Sequence, residues 1–210
     1  IGLLIGAPAW AQAPPAMQLY NWTGFYGGAN LGGMSGSAPI KTTTLFSPTG
    51  YFNTTSVDSI NNNGSQTIND NALILGVQGG YNFQMGNWVF GGDTDFNSFD
   101  TNATASTTVV YPCCAPTKYT LTSKVMTDWL YMLRPRVGWA QENWLFYVTG
   151  GLALTQIHTI FKFSDTFANA AERAEKWQPR VGWVAGGGIE WGLSRRWTLK
   201  AEYLHVDFDA

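Results

Sequence analysis

Long apolar runs are missing from this sequence, and so is charge. No stretch approaches the roughly 18 to 20 apolar residues that a membrane-spanning helix needs, which excludes a helical membrane protein and leaves a β-barrel open. Only 12% of the 210 residues are Asp, Glu, Lys or Arg, and the formal net charge is -2. Phosphate backbones are held by clustered Lys and Arg, so nucleic acid is excluded as a partner. Cysteine is nearly absent: Cys113 and Cys114 stand side by side in YPCCAP, with no His, Asp or Glu flanking them at ligand spacing. Neither a metal nor a cofactor is expected. Adjacent Cα atoms are about 3.8 Å apart, below the usual range for a bridge. Free thiols, a strained vicinal disulfide and an intermolecular link therefore all remain open for this pair. Histidine is scarce too, and His158 and His205 accompany no serine nucleophile or acid in a catalytic pattern. Asp93 and Asp95 in GGDTDF lie two residues apart, a spacing that merely puts both on one strand face. No catalytic residue and no enzyme activity is expected.

What the chain has is glycine and aromatic rings: 24 Gly, 10 Trp, 9 Tyr and 12 Phe, spread along a pattern of alternation rather than gathered in linkers. Read with a period of two, it resolves into seven segments of about ten residues whose alternate positions are apolar and uncharged. The first carries Phe25, Ala29 and Leu31 on that face; the second Leu73, Leu75, Val77, Tyr81 and Phe83; the third Trp88, Phe90 and Phe96. The fourth carries Trp129, Tyr131, Leu133, Val137 and Trp139; the fifth Phe146, Val148, Leu152 and Leu154. Val181, Trp183, Ile189 and Trp191 form the sixth, and Leu199, Ala201 and Tyr203 the seventh. The opposite parity holds the polar groups: Asn30, Gln78, Asn82, Asp93, Asp95, Asp128, Arg134, Arg136, Thr149, Glu190, Lys200 and Glu202. Alternation alone also fits a soluble secreted ligand-binding barrel with the apolar parity turned inward.

Three features put lipid on the apolar side. Aromatic rings gather near segment ends, at Trp22, Phe25, Tyr81, Phe83, Trp88, Trp129, Trp139, Trp183, Trp191 and Tyr203, as girdles at two membrane interfaces would require. His205 is expected among them. Connections alternate short and long: Gln84 to Asn87, Ala140 to Asn143 and Gly192 to Trp197 against Ser35 to Asp70, Ser98 to Lys124 and Gln156 to Trp177. Glycines on both parities suit strongly curved strands around a narrow interior. Pro135 fits worst, since proline removes a ladder donor; a local bulge there is expected. The long loops, rich in Ser, Thr and Asn, are expected to be mobile and to be where host or phage ligands would bind. Within the third, AERAEKW has helical character.

At the N-terminus, IGLLIGAPAWAQA resembles the end of a secretory signal with Ala9, Trp10 and Ala11 as its cleavage pattern. Residues 1–11 are read as a signal-peptide remnant, 12–21 as a periplasmic lead and 22–210 as the barrel.

The ordered set NWTGFYGGANLGG, GGYNFQMGNWVFGGDTDF, DWLYMLRPRVGWA, FYVTGGLA, VGWVAGGGIEW and WTLKAEYLHVD resembles the small OmpA-like, porin-like outer-membrane β-barrels of Gram-negative bacteria. The resemblance implies an all-β, antiparallel up-and-down transmembrane barrel of eight strands. Seven are present here, and the closing strand of that family, which ends on an aromatic residue, is expected to be missing. It also implies an outer-membrane location, lipid as the partner of the outer face, and an interior plugged by inward ion pairs. Asp93, Arg136, Glu190 and Lys200 match those inward positions best, and parity adds Asp95, Arg134 and Glu202. A narrow porin-like channel lined by the same groups is the alternative.

Overall fold

Strand formation follows from the alternation: an apolar and a polar residue in turn, with β-branched and aromatic side chains and glycine, suits a pleated surface with a different solvent on each face. The computed structural model describes residues 20–46 and 48–208, so the signal-peptide remnant and most of the N-terminal lead lie outside the described residues. Seven strands, β1 (Gly24–Ile40), β2 (Gln66–Met85), β3 (Trp88–Val110), β4 (Lys118–Gln141), β5 (Trp144–Asp165), β6 (Ala171–Ser194) and β7 (Trp197–Phe208), form one sheet. Each is antiparallel to the next, in the order of the chain, and one helix, α1 (Thr54–Gly64), lies between β1 and β2. The sheet curls until inner side chains of β4 and β7 touch. β1 and β7 remain as its edges, and a cleft of about 1890 Å³ runs between them, lined along the length of both.

The strands run far beyond the expected segments, β4 and β6 to 24 residues each. Most of what alternation marked as long loops is hairpin: β3 and β4 stay paired out to Val110 and Lys118, and β5 and β6 out to Ser164 and Ala171. Only residues 111–117 and 166–170 connect them. AERAEKW is strand, the outer end of β6, held by its pairing with β5 rather than by helical propensity.

One irregularity explains why these extensions were hard to read. The β3–β4 register shifts between Ser98 and Thr101, where β3 has the extra residue, and the β4–β5 register between Met126 and Leu130, where β4 has it, so β4 changes phase near 127–129 against both neighbours. A bulge of this kind reverses which parity faces inward. Below it, Leu130, Met132, Arg134 and Arg136 point in; beyond it, Tyr119, Leu121 and Ser123 do. Asp128, expected to face inward, sits in the bulge and is exposed. Pro135 needs no bulge, because the β3–β4 register passes through Gly92 and Pro135 unbroken and the proline lies on the outer face.

Polarity inverts at the same level. Between the short turns and the bulge the outer face is apolar, with Leu73, Leu75, Val77, Leu133, Val148, Leu152 and Val181 exposed. Beyond it the outer face bears Thr104, Ser106, Thr108, Thr120 and Thr122, with hydroxyl pairs at 3.0 Å (Ser106 to Thr122) and 2.9 Å (Thr108 to Thr120). The inner face there holds an apolar cluster of Tyr111, Tyr119, Leu121 and Phe163, capped by Ile60 of α1. Helix α1 starts where the Asn53 side chain accepts from the Ser56 amide at 2.8 Å, a good N-cap, and turns Val57 and Ile60 onto the hairpins.

Candidate functional site

The charged residues of the inner face meet in one connected layer. Arg134, 0% exposed, donates from Nε and Nη2 to Asp95 Oδ2 at 3.1 and 2.7 Å. The far side of the same guanidinium donates to Glu202, Nη1 to Oε1 at 3.0 Å and Nη2 to Oε2 at 3.2 Å. Arg136 donates from Nη1 to Glu190 Oε2 at 3.3 Å and lies 3.6 Å from Asp93 Oδ2. Lys200 Nζ is 3.6 Å from Glu202 Oε2 rather than within ion-pair distance of its cross-strand neighbour Glu190. All seven charged residues expected inside are thus brought together. Charges this far from water survive only when paired and hydrogen-bonded, because desolvation of each costs several kcal/mol.

Three neutral partners complete the layer, and of these alternation had marked Asn82 alone as a polar inward position. Tyr26 donates its hydroxyl to Asp93, and Tyr147 donates to Glu202 at 3.0 Å. Arg136 also donates from Nε to Asn82 at 2.9 Å, and its guanidinium carbon lies 4.7 Å and 5.1 Å from the ring centroids of Tyr26 and Tyr147. Inward parity was the signal available for Tyr26 and Tyr147. Gly80 makes the first contact possible, since a Cβ there would meet the Gly92 carbonyl and the Tyr26 hydroxyl.

Apolar side chains close the layer on both sides. Phe99, Leu130, Met132, Ala153 and Val184 pack on the hairpin side, and Trp22, Val89, Ala140, Leu145 and Tyr147 on the side of the short turns. Trp22 is therefore a correction: expected in the membrane-interface belt, it is 4% exposed and fills the interior. It precedes β1, and Gly24 at φ 139° bends the chain so that Trp22 turns under the barrel while Phe25 faces out.

The other expected belt residues face outward. Near the short turns Phe25 packs on Tyr81 with ring centroids 4.8 Å apart, Trp88 on Trp139 at 5.1 Å, and Trp191 on Trp144, which was not expected there, at 5.3 Å. Phe83 is exposed beside them. At the level of the bulge Trp129 stacks on Phe96 at 6.3 Å, and Trp183 lies 5.4 Å from His205. Tyr203 is exposed on β7, opposite Gly187. In the hairpin tip, Cys113 and Cys114 are joined to each other.

Asp165 ties that tip together. Its Oδ2 accepts from Tyr51 at 2.5 Å and Tyr111 at 3.0 Å, while Oδ1 accepts from the Ala168 and Ala170 amides at 3.3 and 3.1 Å. Burial alone would raise its pKa; the donated hydrogen bonds outweigh this and hold it below the ordinary carboxylate value. The same bond, with burial adding to it, raises the Tyr51 hydroxyl above its ordinary value.

No solved structure matches the chain. Among curated proteins it is similar to the 31 kDa outer-membrane immunogenic proteins of Brucella melitensis biotype 1 and Brucella suis biovar 1, each 28% identical over 207 residues. The alignment covers 98% of this chain and 78% of each relative. Residues 2–210 match the family described as outer membrane protein beta-barrel domain. A single antiparallel up-and-down sheet with an apolar, aromatic-belted outside and an ionic inside is what that match requires, and the chain belongs to this family of Gram-negative outer-membrane β-barrel proteins.

Proposed function

We propose that this chain is a structural barrel of the outer membrane, without catalytic activity, whose interior is closed by its ionic layer and whose hairpins form a stiff surface outside the cell. The observation that carries this is the layer itself: two arginines hold four carboxylates across the interior, with apolar side chains packed above and below. An eight-stranded barrel has room for little more than its own side chains, so once the cleft between β1 and β7 is closed such a filling would leave no continuous water path. The hairpins support the second half of the proposal. They project beyond the belt on paired strands, with their own apolar cluster and a bonded cap, which suits a surface recognised from outside. The word immunogenic belongs to the Brucella relatives; we extend it to this chain through these hairpins.

Planar-bilayer recording tests the closed interior. The protein is expected to leave the bilayer silent, and Arg136→Gln or Glu190→Gln to give intermittent openings. Steady conductance of the unaltered protein that changes with either substitution would establish the narrow channel instead.

A further inference from the structure

On the outer wall of the hairpins, beyond the aromatic belt, Thr104, Thr122, Lys124, Ile160, Lys162 and Arg173 line a cleft of about 300 Å³. Four neighbouring strands build it: Thr104 pairs with Lys124, Lys124 with Ile160, Thr122 with Lys162, and Lys162 with Arg173. These side chains face outward, since the inward positions are taken by Tyr119, Leu121 and Phe163. Ile160 forms an apolar floor, 8% exposed although it lies on the outer wall.

The cleft has a charge imbalance that the fold does not relieve. Lys162 and Arg173 stand directly opposite each other in the ladder, an arrangement that disfavours pairing. Among the described residues, no carboxylate lies within ion-pair distance of Lys124 or Lys162. The adjoining acid, Glu175, is paired with Arg173 and lies 3.5 Å from His158 Nε2. Three cations against one carboxylate leave a net +2 around an open cleft. An anion would neutralise it.

Position and a second feature say which anion. Lys124 is five residues beyond Trp129 along β4. At about 3.3 Å per residue and a strand tilt near 40°, it sits on the order of 10 Å outside the belt, in the headgroup layer rather than in hydrocarbon. Between cleft and belt, Trp177 stacks on His158 with centroids 3.8 Å apart and stays 56% exposed on the same wall. A flat aromatic face in the aqueous layer, next to clustered cations, suits a sugar ring that carries phosphate: the C–H bonds of the ring lie on the indole and the phosphate takes the cations.

We propose that this cleft binds the phosphorylated saccharide headgroup of a glycolipid in the outer leaflet. Its acyl chains run down the apolar wall past Val181 and Trp183, which makes the membrane lipid rather than a free sugar phosphate the occupant. The inference rests on the barrel's orientation and not on whether its interior conducts.

Native mass spectrometry of the refolded protein, with phosphorylated lipid A or its enzymatically dephosphorylated form added to the micelle, tests it. The phosphorylated lipid is expected to bind at least tenfold more tightly. Lys124→Gln/Lys162→Gln/Arg173→Gln should abolish that preference with heat-modifiable gel migration retained, and Trp177→Ala should weaken binding of both lipids. Millimolar glucose 1-phosphate should fail to compete. Equal binding of the two lipids by the unaltered protein would overturn the proposal, and this comparison stands even if the triple variant does not fold. A triple variant that folds and keeps the preference would overturn it as well, and full competition by glucose 1-phosphate would make the occupant a free solute.

Discussion

Arg134→Met removes a guanidinium and leaves an unbranched stem in its place, so the loss is electrostatic more than steric. Arg134 is fully buried and makes four hydrogen bonds, two to Asp95 and two to Glu202. Without it Asp95 loses its ion-pair partner, and Glu202 keeps only Lys200 at 3.6 Å and the Tyr147 hydroxyl. Removing one member of a buried ion pair costs about 3–5 kcal/mol, because the charge left behind is neither solvated nor compensated. Against a total stability on the order of 5–15 kcal/mol, that is about a fifth or more. Urea titration of the protein in lipid vesicles, followed by heat-modifiable migration and tryptophan fluorescence, should show a midpoint drop of that size. Adding Asp95→Asn and Glu202→Gln to Arg134→Met removes the stranded charges and should recover at least half of the loss, a coupling that only connected residues produce. If Arg134→Met falls within about 1 kcal/mol of the unaltered protein, the interior is hydrated and the pairs are ordinary solvated contacts.

Trp22→Ala should cost about 3–5 kcal/mol as an interior cavity, whereas Trp22→Phe should cost far less because the indole Nε1 has no hydrogen-bond partner. Quenching of Trp22 by brominated lipid, with the other tryptophans replaced, would instead return it to the interface. For the cap, the lowered pKa of Asp165 means that its stabilisation is complete above the unfolded carboxyl value of about 3.9 and is lost as pH falls through the lower folded value. Near-UV circular dichroism of the tip tyrosines should therefore hold from neutral pH down to about 4 and collapse below it, with the dependence gone in Asp165→Asn; loosening between pH 5 and 8 would contradict this. Among the described residues β1 and β7 are the edges of the sheet, and each unpaired backbone group costs several kcal/mol in hydrocarbon, so about a dozen residues of alternating strand supplied beside them should raise the heat-modifiable fraction in vesicles. Equal insertion with and without them would mean that these edges are satisfied in another way.

The membrane part of the fold was legible because two solvents impose opposite demands on alternate residues. Lipid admits no charge on one face, and a cramped interior admits charge on the other only in pairs, so a period of two picked out all seven charged members of the layer. Tyr26, Asn82 and Tyr147 were harder to read, since a neutral polar residue of inward parity declares its face but not its partner. Trp22 was misread for a related reason: proximity to a segment end says interface, but the residue lies before the strand, where parity has no meaning and the bend at Gly24 decides its direction.

The hairpin extensions failed on different grounds. Beyond the belt water surrounds the strands, so the inner face becomes the apolar one and the alternation changes sign. The bulge near residues 127–129 shifts the phase of β4 at nearly the same level. A change of sign and a change of phase together look like the end of a strand in sequence, which is why Thr104, Thr122 and Leu121 passed for loop. Residues 171–177 offered even less, because every one is exposed and the pairing with β5 alone makes them strand. The inversion also places the basic cleft. Lys124, Lys162 and Arg173 occupy outer-face positions that would be forbidden a few residues lower, in hydrocarbon. They mark the height on the wall at which lipid tails end and charged headgroups begin.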